Sequence, residues 1–276
     1  MPLRPLPESD GGDIGTCDTS GVAESLCSLA GLVLWLDPAN GVTTSPTFVW
    51  PDRSAARNDA VALPANSPTV RPATADLPPR IELSGLDQFL SLPPGMEDFT
   101  QGLTLFVVAE PKPPLPATAS DAARFIDFAT SYGLLDDAIL LARIGGSAAH
   151  NLLYQAYMAS RYPPSYPALS VVADDSLQLL EVAAMGGNAG TLVPFRYFKN
   201  GIEVGSGGTS YVPRVVTRGS VLIGRSNYLD SFTPPGQVTN ADYHGMLGDI
   251  VLYNRLLSDD ERRAVEGYLL DRWHLR

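Results

Sequence analysis

No apolar run in this chain is long enough to cross a bilayer. Its longest stretches, such as Leu103 to Ala109, stop far short of the roughly 20 residues that a spanning helix needs. Cysteine is scarce, with Cys17 and Cys27 the only two in 276 residues. No histidine or second cysteine pair sits near them in sequence, which excludes a four-ligand zinc site. A disulfide between them would suit an oxidising compartment and two free thiols a reducing one, and their spacing does not choose. Positive charge is also short: 19 basic residues face 30 acidic ones, a formal charge of −11 with a pI near 4.6. That field repels nucleic acid and anionic membrane, and excludes both as partners. Met1 to Ala30 holds one arginine and no apolar segment of the kind a secretory signal carries, so a signal is expected to have been removed or never needed. Gly-x-Ser-x-Gly, Walker and Rossmann fingerprints are all missing.

What is present is an ordinary globular composition, 45% hydrophobic, over a length that suits one large all-β domain. The clearest pattern lies at the end. Gly245-Met246-Leu247-Gly248-Asp249-Ile250-Val251-Leu252-Tyr253-Asn254-Arg255-Leu256-Leu257 reads as a strand packed on both faces. Ser258 with Glu261 forms a capping-box signature, and Asp259 and Asp260 favour the positive end of the helix that follows. Val265, Tyr268, Leu269 and Trp273 fall on one stripe of that helix. At the other end, Leu32, Leu34, Trp35, Leu36 and Asp37 form a short buried strand. Trp50-Pro51-Asp52-Arg53-Ser54, followed by Asn58-Asp59-Ala60, reads as a turn whose Asp52 and Asp59 could hold a cation, although Asx-type hydrogen bonding beneath a tryptophan is the favoured reading.

These opening and closing blocks resemble bacterial and phage laminin-G-like domains of the concanavalin A-like lectin and glucanase superfamily. The resemblance covers roughly residues 31–276, with its specific matches at Leu32 to Asp52 and Gly245 to Trp273. It implies a two-sheet antiparallel jelly-roll sandwich with a short C-terminal helix. The strand pattern between the matches agrees with that. Runs at 80–83, 89–92, 103–109, 125–130, 138–144, 177–184, 195–198, 202–204 and 221–224 read as strands, with 154–158 weaker. Asn200-Gly201 between two of them predicts a type I′ hairpin, which needs φ > 0 at both positions. Residues 1–30, rich in Pro, Gly, Ser and Asp, read as an extended arm without periodicity. Proline-rich loops at 111–120 and 161–167 depart from the family pattern, so its ligand residues do not carry over.

The superfamily contains retaining glycosidases, whose chemistry needs two carboxylates about 5–5.5 Å apart. On a strand that pair appears as Glu-x-Asp or an equivalent i, i+2 spacing. The one Glu-x-Asp is Glu8-Ser9-Asp10, outside any strand, while Glu82, Glu181 and Glu203 are followed two residues on by Ser84, Ala183 and Gly205. His150, His244 and His274 are scattered. The chain therefore reads as a non-enzyme that binds.

Sugars are gripped by aromatic faces together with polar groups that meet their hydroxyls. The loop residues that offer this are Tyr162, Tyr166, Tyr228, Asp230, Asp242 and Tyr243, with Tyr132 beside Asp136-Asp137 as a further cluster. The resemblance also admits a calcium ion at the rim, which would need six to eight oxygens. Asp136, Asp137, Asp174, Asp175, Asp230 and Asp242 are available for it, but no spacing singles out a set. Two functions follow as expectations. One is a lectin-like module for glycan or a cell-surface receptor. The other is a subunit of a phage particle or phage-like assembly whose residues 1–30 dock a neighbouring chain. Either places the protein outside the cell, at a cell surface or in a virion.

Overall fold

A computed structural model describes residues 17, 24–113, 122–133, 136–144, 150–159, 161, 163, 169–227 and 242–275. Two antiparallel sheets face each other. In spatial order the first holds β14 (Ile202–Tyr211), β13 (Leu192–Lys199), β12 (Gln178–Met185), β7 (Gly102–Pro111), β16 (His244–Tyr253), β5 (Arg80–Ser84) and β4 (Thr69–Arg71). β1 (Leu32–Leu36) also pairs with β16. The second holds β11 (Leu169–Ser170), β10 (Asn151–Ala156), β9 (Ile139–Ile144), β8 (Ala122–Ala129), β15 (Ser220–Ile223), β6 (Leu90–Leu92), β3 (Ala60–Ala62) and β2 (Phe48–Trp50). Among the described residues the remainder is a short 3-10 turn and two helices, α1 (Glu24–Ser28) and α2 (Asp259–Arg272). This is the all-β jelly-roll sandwich that the sequence implies, and no helix among the described residues is long and apolar enough to cross a membrane.

Alternation along the central strands builds two cores. In β7, Leu103, Leu105, Val107 and Ala109 face the opposite sheet, while Phe106 and Val108 face the helical side. In β16, Ile250 and Leu252 point inward and Val251 and Tyr253 outward. A period of two with both faces apolar demands a cover on each side. On the outer face that cover is α2. Ser258 Oγ accepts from the Glu261 backbone N–H and the Glu261 carboxylate accepts from the Ser258 N–H, the reciprocal cap that the spacing predicts. Val265, Leu269 and Trp273 are buried against Trp35, Phe106, Leu179 and Val251. A Cβ on Gly248 would lie 2.6 Å from the Trp273 ring, so glycine there is what lets the indole approach the strand. Asn200 and Gly201 have φ of 48° and 76°, the two left-handed residues of the predicted hairpin.

Residues 24–30 depart from the expected patternless arm. Residues 24–28 make a helical turn whose Leu26 is fully buried in the core beneath α2. The Tyr253 hydroxyl donates to the Leu26 carbonyl at 3.1 Å, and Arg255 Nε donates to the Ala30 carbonyl at 2.7 Å. Cys17 and Cys27 form a disulfide spanning ten positions. The described turn is too short to show a period: Leu26 is its fully buried residue, with Cys27 and Leu29 packed partly buried beside it. Leu26→Ala should lower the free energy of unfolding by about 2–5 kcal/mol, measured by urea denaturation. A change within about 0.5 kcal/mol would show that the segment is not docked.

Candidate functional site

The end of the sandwich at which β7 begins and β12 ends carries an open cleft, and backbone geometry makes it. Gly102 has φ +98°, and a Cβ there would lie 2.6 Å from the Ala184 carbonyl oxygen. One on Gly186 would lie 2.4 Å from the Thr100 carbonyl oxygen. No side chain fits at either place, so the 94–101 loop and the turn after β12 touch main chain to main chain. The Gly187 N–H donates to the Thr100 carbonyl at 2.8 Å, and the Leu256 N–H to the Gln101 carbonyl at 3.0 Å. Over this floor lies a cleft of about 660 Å³ lined by Thr100, Gln101, Gly186, Gly187, Asn188 and Ala189.

A smaller hollow of about 180 Å³ adjoins the same loop, with Asn58, Glu97, Asp98 and Asn254 as its polar lining and Met96 and Phe99 among its apolar lining. Asp98 accepts from the Thr100 N–H at 2.8 Å and its hydroxyl at 2.7 Å, which holds the carboxyl below the usual range. Thr217 Oγ1 donates to Glu97 at 2.6 Å. Behind the loop, fully buried Arg218 donates from Nη1 to the Met96 and Glu97 carbonyls and from Nε to the Asp137 carbonyl. Burial pushes its guanidinium down to about 10. The loop is thus braced from beneath, and its carboxylates, amides and hydroxyls face outward. Phe99 is 3% exposed, so the aromatic ring here is floor rather than platform.

Of the residues expected to bind, two are described, and they lie away from this cleft. Tyr162, Tyr166, Tyr228 and Asp230 lie outside the described residues. Asp242 and Tyr243 sit at the opposite end, where Gly245 pairs with Pro111. Asp242 accepts from Arg225 at 2.9 and 2.8 Å and from the Asp87 N–H at 2.7 Å. Tyr243 is 1% exposed, packs on Phe125 at 5.0 Å between centroids, and donates to the Met246 carbonyl. Its ring therefore has no open face on which a sugar could stack. In the further cluster, Tyr132 is 52% exposed, but Asp137 is buried and accepts two bonds from Arg214 Nε at 3.2 and 2.9 Å. Burial would raise the Asp137 carboxyl, and the Arg214 and backbone bonds outweigh it, leaving it below the usual range.

Four of the proposed calcium ligands are engaged, Asp136 and Asp137 with Arg214, Asp174 with Arg143 and Asp242 with Arg225, while Asp230 lies outside the described residues. Among the described residues no group of three or more His, Cys, Asp or Glu is arranged to hold a metal. The Asp52 carboxylate accepts four bonds, from the Trp35, Ser54 and Asn58 N–H groups and the Ser54 hydroxyl, and Asp59 accepts from the Asp52 N–H. That is the Asx-type turn read from the sequence.

Of the strand glutamates, Glu82 pairs with Arg71 and Glu203 with Arg196. Glu181 and Glu266 both meet Arg262, but they do so buried beneath α2, out of reach of a substrate. The sequence shows the glycine pair Gly186-Gly187 but not the cleft that it helps to form. A glycine pair without a lysine fits no phosphate loop, and nothing in its spacing points to a sugar.

No known protein family matches the sequence, and no curated protein matches it either. Solved structures do match in fold. The binding domain of Paraclostridial Mosquitocidal Protein 1 is similar at 10% identity and a TM-score of 0.56, over 87% of this chain and 53% of that one. Domain 4 of AbnA, a GH43 extracellular arabinanase from Geobacillus stearothermophilus solved with arabinotriose, is similar at 13% identity and a TM-score of 0.52, over 85% of this chain and 98% of that one. Trypanosoma rangeli sialidase in complex with sialic acid is similar at 17% identity and a TM-score of 0.53, over 88% of this chain and 33% of that one. The chain spans about half the length of the mosquitocidal and botulinum neurotoxin binding domains that it matches. At these identities the likeness shows the β-sandwich fold and no more.

Proposed function

We propose that this chain is a non-catalytic carbohydrate-binding module that acts outside the cell and holds glycan in the cleft between Thr100 and Gly187. One observation carries the reading: the fold is shared across nearly the whole of a domain solved with arabinotriose, and this chain adds a braced, open, polar cleft at one end of it. Other structures of the same fold are complexes with SialylT and with sialic acid. The strand carboxylates engaged with arginines support a binder rather than a hydrolase. A disulfide at Cys17–Cys27 fits an oxidising, extracellular compartment. The particle-subunit reading gains nothing from these likenesses, and residues 24–30 dock on their own sandwich rather than standing free for a neighbour.

Gln101 and Asn188 present side-chain amides at the cleft, and each good hydrogen bond to a sugar hydroxyl contributes about 0.5–1.5 kcal/mol. Gln101→Ala with Asn188→Ala should therefore weaken binding of an array-identified glycan by about tenfold or more in calorimetric titration. The unfolding midpoint should not move. Unchanged affinity in the double variant would remove the site from this cleft.

A further inference from the structure

We infer that the glycan held at this end of the sandwich is uncharged, not sialylated or uronic, an inference that rests on the binding reading above. A sugar carboxylate needs a cation or a set of free N–H donors to replace its hydration. Among the described residues, neither the cleft nor the hollow beside it is lined by a lysine or arginine, and Glu97 and Asp98 line the hollow. Asn58, Gln101, Asn188, Asn254 and Thr100 complete the polar lining, groups that pair with hydroxyls as donor and acceptor alike.

The arginines at this end are turned to other work. Arg214 is bound to Asp137, and Arg255 makes two bonds to Glu261 at 2.9 and 2.7 Å. Arg218 lies fully buried behind the loop carbonyls, and Arg57 donates to the Asp52 carbonyl. Arg161 is exposed but lines neither hollow. Asp98 adds weight, because its two bonds from Thr100 favour the ionised form at neutral pH. The chain's formal charge of −11 opposes an anion at longer range. At the effective dielectric of a partly exposed site, a like charge close to a sugar carboxylate lowers affinity by about tenfold.

The test is a glycan array of matched pairs. N-acetyllactosamine is set against its sialylated form, and xylo-oligosaccharides against glucuronate-bearing ones, with arabinotriose alongside, followed by titration of the best pair at low and high salt. The expected result is binding of neutral members with affinity flat in salt, and acidic partners at least tenfold weaker. Glu97→Gln with Asp98→Asn, which keep the oxygens that accept from Thr217 and Thr100, should narrow that gap. Tighter binding of the sialylated or uronate member would overturn the inference and leave the carbohydrate reading standing. No binding by any glycan, from a chain with a normal unfolding transition, would overturn both.

Discussion

Trp273→Ala should lower the free energy of unfolding by about 3–5 kcal/mol, among the largest costs of any single truncation in this chain. The indole is fully buried at the end of α2, between the helix and the strand side chains of Trp35, Phe106 and Val251. It lies close to Gly248, where no Cβ intervenes. Its Nε1 also donates to the Asp249 carboxylate at 2.7 Å, beside the Trp35 Nε1 at 3.0 Å. Truncation would leave a ring-sized void and take one donor from a buried carboxylate, two costs that add. Trp273→Phe separates them: it keeps most of the packing and loses the N–H, with about 1–2 kcal/mol expected. Urea unfolding followed by far-UV circular dichroism would read both. A loss below about 1 kcal/mol for Trp273→Ala would mean that α2 is not part of the cooperative unit.

The same residues explain what was legible in the sequence. The stripe Val265, Leu269 and Trp273, the Ser258–Glu261 box and the alternation of β16 are local patterns with fixed periods, and each appears in the fold as read. β2, β3 and β4, three residues each, and the two-residue β11 are too short to show a period; β4 and β11 form beside the longer β5 and β10, while β2 and β3 pair with each other and β3 with the equally short β6. α2 also buries Arg262 and Glu266, which a charged-means-exposed reading puts in solvent. Their burial depends on Glu181 and Phe198 from distant strands: Arg262 lies over the Phe198 ring at 3.8 Å. The cleft was illegible for a related reason. It arises from two glycines that permit backbone contact between segments over eighty residues apart, and nothing in a single sequence marks that meeting. Tyr243 misled because an aromatic beside an acid in a loop looks the same whether it faces a ligand or the core.

Stability should rise, not fall, as the pH is lowered from about 6.5 to about 5. Asp249 is the main cause. It is buried with Asp37, Arg53 and Arg272 in a node of two carboxylates and two guanidinium groups, with Arg272 bridging Asp249 at 3.1 Å to Asp37. Burial first, and then the Asp37 charge, push the Asp249 carboxyl up to about 6 against the opposing pull of Arg272 and the two indoles. Burial, with Glu266 close by, pushes Glu181 upward as well, and burial raises Asp52. A carboxyl whose folded pKa is raised binds its proton more readily in the native state. Such a group contributes a penalty above its folded pKa that is relieved as the pH falls toward its unfolded value near 4. The opposite group of acids, Glu261 at about 2 and Asp98, Asp137 and Asp259 below their usual range, is ionised in both states above about pH 5 and adds no slope there. Their stabilisation is lost at lower pH, so the curve should turn over below about pH 4. With at most about 1.4 kcal/mol per pH unit per proton, a gain of about 1–2 kcal/mol between pH 6.5 and 5 is expected. Asp249→Asn, which cannot titrate, should flatten that limb whatever its own cost in lost acceptors. A wild-type curve that falls monotonically from pH 6.5, or an Asp249→Asn curve parallel to it, would show that Asp249 is ionised alike in the folded and unfolded chain.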